Sequence, residues 1–136
     1  MATVTITQNQ TPLFLAAIKS DGDWFDPENL ATSAQLISEG ITRPPISYTI
    51  YRSTDSLSPL SFSTSNAVVV AGFENVEINP AAIISPEDVD GDYNFQFAPA
   101  SRTVFPFAET GYYFVDFLLY PQAGAAVAWR VGVEVK

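Results

Sequence analysis

The sequence predicts an all-β domain, a sandwich or a barrel, on three observations. Short segments that alternate apolar and polar residues, or stay apolar for a few residues, recur along the chain with turn residues between them. No alternation of strand and helix patterns is present, which argues against a parallel α/β sheet. The 136 residues, 47% of them hydrophobic, match the size of a single domain with a core of its own. We therefore expect one domain over residues 1–136 with about eight antiparallel strands.

The first third of the chain contains two predicted strands and one predicted helix. Residues 3–7 alternate and are rich in β-branched side chains, and residues 13–18 form a short apolar run typical of a buried strand. Asp26 followed by Pro27 resembles a helix start, because Asp caps a helix and Pro tolerates its first position. The pattern predicts a short helix over residues 27–38, although residues 32–37 fit a strand equally well.

The middle of the chain predicts one well-defined strand and several short ones. In residues 46–52, Ile46, Tyr48 and Ile50 share one face of the strand and polar residues alternate with them. Residues 53–65 are rich in Ser, Thr and Pro and are predicted to be a loop. The remaining segments are apolar runs, and they predict strands over residues 66–72 and 76–78.

The last third predicts the centre of the sheet. Alternation over residues 92–97 and an apolar run over 103–107 predict two short strands. Residues 112–120 and 126–135 are longer and are joined by a turn of hairpin length at 121–124. Their alternating Val and aromatic residues predict a paired central hairpin.

Charge excludes two classes of partner. Fifteen acidic residues face six basic ones, which gives a net charge of −9, and the basic residues are scattered along the chain. Nucleic acids and anionic membranes are bound by clustered Lys and Arg, so we expect neither as a partner. The first residues lack the basic and apolar regions of a signal peptide, which predicts synthesis in a cytoplasm without a secretion signal.

The chain contains no histidine and no cysteine. Hydrolase triads, thiol catalysis and histidine-based metal centres are thereby excluded, so we predict no catalytic residues, no cofactor and no enzyme activity. A glycosidase that uses carboxylates alone remains the one enzymatic alternative. Its sole candidate within a strand is Asp116, for which we expect exposure to solvent or an ion pair with Arg130.

Two acidic clusters are candidate calcium sites, one formed by Asp21, Asp23, Asp26 and Glu28 and the other by residues 88–92 with Asn94. Asp88, Asp90 and Asp92 begin like the loop of an EF-hand, but Gly91 falls at loop position 4 and Pro99 falls where Glu is needed. A turn that uses Asp and Gly for their backbone preferences is the favoured interpretation, and no metal is expected.

Aromatic residues supply the candidate binding surface. Both faces of the strand over residues 112–120 are apolar, and a sandwich buries only one of them, so the other needs a cover. The predicted interface anchors are aromatic side chains on loops and strands: Trp24, Phe25, Tyr51, Phe114 and Tyr120. The alternative is a carbohydrate- or receptor-binding module, in which Trp24, Tyr48 or Tyr51 stacks on a sugar and Asp21 or Asp23 accepts its hydrogen bonds.

A family resemblance lies in the last third. Asp-Gly-Asp-Tyr-Asn-Phe at 90–95, Val-Phe-Pro at 104–106, Gly-Tyr-Tyr-Phe-Val at 111–115 and the segment 129–135 resemble the closing strands of immunoglobulin-like domains. The Gly-Tyr strand start that leads into a final hairpin is similar to small accessory proteins of tailed-phage virions. The two core cysteines of the antibody type are absent.

The resemblance implies an immunoglobulin-like or jelly-roll-like antiparallel β-sandwich. It also implies a structural protein located in the virion, either a capsid cement or decoration protein or a tail component. Its partner would be a major capsid or tail protein, and the chain would form a homo-oligomer, with a trimer as the favoured size.

Overall fold

The computed structural model describes residues 2–53, 67–99 and 105–136, and most of their regular structure is β-strand. The strands are β1 (Ala2–Ile6), β2 (Phe14–Ala16), β3 (Lys19–Ser20), β4 (Asp23–Trp24), β5 (Ile46–Ser53), β6 (Ala67–Val69), β7 (Val76–Glu77), β8 (Phe95–Phe97), β9 (Gly111–Leu119) and β10 (Val127–Val135). The helices are α1 (Ser33–Ser38) and three short 3₁₀ helices, Pro27–Asn29, Pro80–Ala82 and Pro86–Asp88. No helix in these three ranges is long and apolar enough to span a membrane.

The largest sheet has the strand order β1-β10-β9-β5-β6, with β7 also paired to β5. The central hairpin is confirmed, since β9 and β10 pair antiparallel from Gly111 opposite Val135 to Leu119 opposite Val127. The expectation of a purely antiparallel arrangement is wrong at one edge, where β1 runs parallel to β10 with Val4 opposite Val133. The chain must therefore cross the domain before its next strand, β2, pairs with β8.

A second, two-stranded sheet of β2 and β8 covers one face of the large sheet. Phe14 of β2 and Phe95 of β8 both contact Phe117 of β9 edge to face, at centroid distances of 5.5 and 5.4 Å. Trp129 of β10 stacks on Phe117 from the neighbouring strand, at 5.1 Å and an interplanar angle of 11°. The core therefore lies between the two sheets, with Phe117 at the centre of an aromatic cluster.

Alternate side chains of β9 enter the core, as predicted. Tyr113, Val115, Phe117 and Leu119 point to the covered face and are at most 2% exposed. The opposite face of β9 carries Tyr112, Phe114, Asp116 and Leu118, because successive side chains of a strand point to opposite faces.

The predicted helix over residues 27–38 is two separate elements. The Asp26 side chain caps the 3₁₀ helix at Pro27–Asn29, and the Thr32 side chain caps α1. Between them the backbone is extended, because Leu30 forms a β-bridge with Pro121 and the Ala31 N–H donates to the Tyr120 carbonyl at 2.9 Å. Contacts with the end of β9 therefore outweigh the helical periodicity.

Other predicted elements are shorter than expected. The apolar run at 13–18 yields only β2, and a short hairpin of β3 and β4 follows it. Residues 105–107 form a turn instead of a strand, with Phe107 buried edge to face against Tyr113 at 5.2 Å. Residues 54–65 of the predicted loop, residue 66 of the predicted strand 66–72, and Thr103 and Val104 of the predicted strand 103–107 lie outside the described residues.

Candidate functional site

The outer face of the large sheet carries an aromatic and ionic stack. Arg130 donates to Asp116 from Nε at 2.5 Å and from Nη2 at 2.9 Å, directly across the β9–β10 pair. The same guanidinium lies over the Phe114 ring, and Tyr51 stacks on that ring with a centroid distance of 4.8 Å. These hydrogen bonds with Asp116 raise the pKa of Arg130. The expected ion pair of Asp116 with Arg130 is therefore present.

Two predicted interface anchors are core residues. Phe114 is 0% exposed beneath this stack, and Phe25 is 3% exposed in the interior. A buried ring has no surface to offer a partner, so the structure corrects the prediction for both residues. The aromatic composition gave no means of separating them from exposed rings, because strand periodicity places Phe114 on the outer face and does not show what covers it.

The other three anchors are partly exposed and lie apart. Tyr51 is engaged with Phe114. Tyr120 ends β9, and its backbone is tied to Pro45 and Ala31 by hydrogen bonds of 2.8 and 2.9 Å. Trp24 lies at the end of the β3–β4 hairpin and, of these three anchors, is the one that lines a cleft found among the described residues, beside the buried Phe25.

The Trp24 cleft, as we call it, has a volume of about 360 Å³ and joins three loops. That volume is in the range of small-molecule and side-chain binding pockets, roughly 300–1,000 Å³. Its lining residues come from the β3–β4 hairpin, the following 3₁₀ helix and the β9–β10 turn: Ser20, Asp23, Trp24, Phe25, Asp26, Asn29, Pro121, Gln122 and Ala123. The cleft therefore combines one indole ring with carboxylate, amide and hydroxyl groups.

Hydrogen bonds hold the wall of the Trp24 cleft in place. The Gln122 backbone N–H donates to the Asn29 carbonyl at 2.8 Å, and its side-chain amide donates to the Glu28 carbonyl at 3.0 Å. From α1, the Gln35 side-chain amide donates to the Gln122 carbonyl at 2.8 Å. The turn after β9 is therefore fixed to the 3₁₀ helix on one side and to α1 on the other.

Asn94 fixes the opposite wall from inside the protein. This residue is 0% exposed; its Oδ1 accepts from the Ile18 N–H at 2.7 Å, and its Nδ2 donates to the Ile18 carbonyl at 2.9 Å. Nδ2 also lies 3.4 Å from the Phe25 carbonyl, so one amide joins both ends of the β3–β4 hairpin. A buried amide with satisfied hydrogen bonds specifies a single arrangement. Sequence reasoning missed this role, because Asn94 was read as the polar partner in an alternating strand.

Of the three rings predicted to stack on a sugar, Trp24 is the one that lines a cleft among the described residues. Tyr48 is only 5% exposed and contacts Phe97 in the core at 4.8 Å, and Tyr51 is stacked on Phe114. Tyr48 therefore offers no free ring face to a sugar, and one face of Tyr51 is covered by Phe114. Asp23 lines the Trp24 cleft, whereas Asp21 lies in the hairpin turn with a positive φ of 52° and is not part of the lining.

A second, apolar cleft lies at the β6 edge of the large sheet. Its volume is about 270 Å³, and it is lined by side chains that the sequence had not singled out: Arg52, Val68, Val70, Phe105, Pro106, Ala108, Glu109 and Tyr113. Phe105 is 45% exposed and Val68 is 53% exposed. Large apolar side chains are exposed elsewhere as well, at Leu13, Leu15 and Ile37. We call this cleft the β6-edge cleft.

The floor of the β6-edge cleft is held by Tyr113 and Arg52. The Tyr113 hydroxyl donates to the Glu109 carbonyl at 2.7 Å, and burial raises the pKa of Tyr113. Arg52 forms an ion pair with Glu109 and donates to the Thr110 carbonyl at 3.1 Å. The turn before β9 is thus fastened to the end of β5.

The candidate calcium ligands do not form a metal site in this structure. Asp88 ends a 3₁₀ helix, and Asp90 and Asp92 lie in the exposed turn after it. Within residues 2–53, 67–99 and 105–136, no group of three or more His, Cys, Asp or Glu side chains is placed to hold a metal ion.

Among the described residues, the arrangement defines a β-rich domain with the polar Trp24 cleft, the apolar β6-edge cleft and a third cleft of about 400 Å³ beside the Asp116–Arg130 pair. Comparisons of the chain with protein-family models, with curated proteins and with solved structures find no match. The geometry of the Trp24 cleft and of the β6-edge cleft is therefore the basis for assigning a function.

Proposed function

We propose that this chain is a non-enzymatic structural protein that attaches to a larger protein assembly through the β6-edge cleft. The observation that carries this proposal is the exposure of Phe105 beside that of Val68 in one cleft. Removing an exposed phenyl ring and a neighbouring exposed valine from water favours binding of a partner, by roughly 25 cal/mol per Å² of apolar surface buried.

The chemistry of the cleft favours an apolar partner side chain. Its two charged residues, Arg52 and Glu109, are paired with each other, so neither leaves a charge for a partner to neutralise. The other lining side chains are aliphatic or aromatic. A partner would therefore bind by burying an apolar side chain beside the paired Arg52 and Glu109.

An immunoglobulin-like sandwich is the fold type that we propose within the all-β class. Three features support it: a sheet ordered β1-β10-β9-β5-β6, an N-terminal strand parallel to the last strand, and a second sheet of β2 and β8. The Tyr113 hydroxyl bond to the Glu109 carbonyl, near the start of the penultimate strand, is similar to the tyrosine corner of such domains.

The assembly that we propose is a virus particle. The resemblance of the closing strands to accessory proteins of tailed-phage virions supports a capsid or tail protein as the partner, with a homo-oligomer, most simply a trimer, as the attached form. The absence of histidine and cysteine from the sequence supports a non-enzymatic role, as does the engagement of Asp116 with Arg130.

The test is occupancy on purified particles from the source of the sequence. Particles carrying the double variant Phe105→Ser/Val68→Ser are compared by quantitative mass spectrometry with particles carrying the unchanged chain. We expect about tenfold lower occupancy, which corresponds to ~1.4 kcal/mol, with an unchanged melting temperature. The matched control is Ile37→Ser, an exposed apolar residue on α1 that lines neither cleft, and it should retain full occupancy.

Two results would overturn the proposal. Equal occupancy of the double variant and the unchanged chain would remove the β6-edge cleft as the attachment surface. Absence of the unchanged chain from particles would remove the virion as its location.

A further inference from the structure

We propose that the Trp24 cleft is a cation site that receives the guanidinium or ammonium group of an arginine or lysine side chain from a protein partner. The inference rests on the proposed function only in that the partner is a protein. It uses different residues and a different kind of contact from the β6-edge cleft.

Charge is the first reason. Asp23 and Asp26 both line the cleft, and no Lys or Arg is among its lining residues in the described part of the chain. The whole protein carries a net charge of −9, so its field adds to the local one. A cation is therefore attracted to the cleft, and an anion is repelled.

The balance of hydrogen-bonding groups is the second reason. Asp26 uses Oδ1 to accept from the Glu28 N–H at 2.9 Å, and Gln122 uses its amide nitrogen to donate to the Glu28 carbonyl. Both therefore keep an acceptor oxygen available. The Asp23 carboxylate accepts no hydrogen bond from any described residue.

Acceptors consequently outnumber donors around the cleft. The remaining side-chain donors that the lining residues can supply are those of Asn29, Ser20, the Trp24 indole and the second N–H of the Gln122 amide. The complement of such a site is a group rich in donors. A guanidinium has five N–H donors and no acceptor, and an ammonium has three donors and no acceptor.

The indole ring is the third reason. Lys19 places its Nζ 4.7 Å from the centroid of the Trp24 ring, so this ring already binds a cation of its own chain. Lys19 is exposed on β3 and forms no hydrogen bond or ion pair with a described residue, so little opposes its displacement. Lys19 does not line the cleft, so its contact shows that the Trp24 ring attracts a cation without filling the site.

The site is also prepared for binding. Both of its walls are held by the hydrogen bonds of Gln122 and Asn94 described above, so few groups must be ordered when a ligand arrives. Less ordering means a smaller entropic cost of association.

The competing ligand is a neutral sugar, which would stack on the same indole. A sugar hydroxyl donates and accepts in equal measure, so it fits an acceptor-rich cleft less well than a cation does. Because both ligands can use Trp24, the experiment must separate charge from stacking.

The experiment is an NMR titration of the full chain, observing the Trp24 indole and the Asn29 side-chain amide. The probes are N-acetylarginine amide, its neutral isostere N-acetylcitrulline amide, and a methyl glycoside of glucose. We expect saturable shifts with the arginine probe, at a dissociation constant on the order of 1 mM, and at least about tenfold weaker binding of the citrulline probe.

Variants assign the site. Asp23→Asn and Asp26→Asn should each weaken arginine binding by about three- to tenfold, and Glu74→Gln, an equal change of charge at an exposed turn, should leave it unchanged. Lys19→Met should strengthen binding by about two- to fivefold, because it frees the indole and removes a positive charge. If Lys19 instead donated a hydrogen bond to a bound sugar, Lys19→Met would weaken binding of that sugar.

Three results would overturn the inference: no shift with the arginine probe, equal affinity for the citrulline probe, or saturable binding of the glycoside without binding of arginine. The Phe105→Ser/Val68→Ser variant should bind arginine normally. Undiminished particle occupancy of this variant, with arginine binding intact, would therefore count against the β6-edge cleft alone. Reduced occupancy of this variant, with no arginine binding by the unchanged chain, would count against the Trp24 cleft alone.

Discussion

The guanidinium carbon of Arg130 lies 3.9 Å from the centroid of the Phe114 ring. The same group donates two hydrogen bonds to Asp116, and Tyr51 stacks on Phe114. The second apolar face of β9 is therefore covered here by side chains of this chain. A partner is not required to bury Phe114, which is why the proposed attachment surface lies at the β6 edge instead.

Replacing Arg130 by methionine should lower the free energy of unfolding by about 1–2 kcal/mol, from the lost contact with Phe114 and the unpaired Asp116 carboxylate. Urea unfolding measures it. Arg43→Met is the control, because Arg43 is exposed and makes no ion pair with a described residue. Adding Asp116→Asn to the Arg130 variant should recover part of the loss, and equal losses for both arginine variants would contradict this account.

Removing the Tyr113 hydroxyl should destabilise the turn before β9. Tyr113→Phe keeps the ring against Phe107 but leaves the Glu109 carbonyl without this donor, at a cost of about 1–2 kcal/mol. Thermal and urea unfolding measure the change. Tyr112→Phe alters the preceding residue, on the opposite face of β9, and should change the free energy of unfolding by less than about 0.5 kcal/mol. A similar loss for the two variants would argue against a specific role for the Tyr113 hydroxyl bond.

Stability should fall at alkaline pH. Burial raises the pKa of Tyr48 and of Tyr113 above the ordinary value, so the folded protein keeps both protons at pH values where the unfolded chain loses them. Their contribution is complete below the unfolded pKa of about 10 and is lost as pH rises through the raised folded values.

Urea unfolding between about pH 8 and pH 11 measures this fall, and absorbance at 295 nm follows tyrosine ionisation. The Tyr48→Phe variant should show a shallower decline, whereas Tyr93→Phe should decline like the unchanged chain. A flat profile to the upper end of this range would refute the prediction.

Asn94 should be among the most sensitive positions in the protein. Asn94→Ala removes a buried amide and leaves the Ile18 N–H without its acceptor, while the Ile18 carbonyl keeps the hydrogen bond from the Phe25 N–H, so we expect a cost of about 1–3 kcal/mol. Gln96→Ala, two residues further on an exposed position, should cost under about 1 kcal/mol. The Asn94→Ala variant should also broaden the NMR signals of the Trp24 indole, because Asn94 fixes the hairpin that carries this ring. Unchanged Trp24 signals in a stable Asn94→Ala variant would show that the hairpin does not depend on this amide.

Local patterns predicted the elements that have strict alternation. In β5, β9 and β10 the side-chain period of two marks which residues enter the core, and Ile50, Val115 and Val133 are all 0% exposed. The pairing of Asp116 with Arg130 was also predictable, because the hairpin register follows from the two strands and the turn between them.

Two distinctions could not be drawn from local sequence. Phe25 and Phe114 were predicted as exposed anchors, but exposure depends on which distant segment lies over a ring. The helix predicted at 27–38 is interrupted at Leu30, since the end of β9 offers it a pairing partner that periodicity does not reveal.

The sequence by itself determined the all-β character, the central hairpin and the absence of histidine and cysteine chemistry, because alternation and composition are properties of neighbouring residues. Only the tertiary structure decided the parallel edge strand, the burial of Phe114 and the assembly of the Trp24 cleft. Each of these joins segments far apart in the chain, as Asn94 joins Ile18 and Gln122 joins Asn29, and their free energy comes from contacts that exist only once the chain has folded.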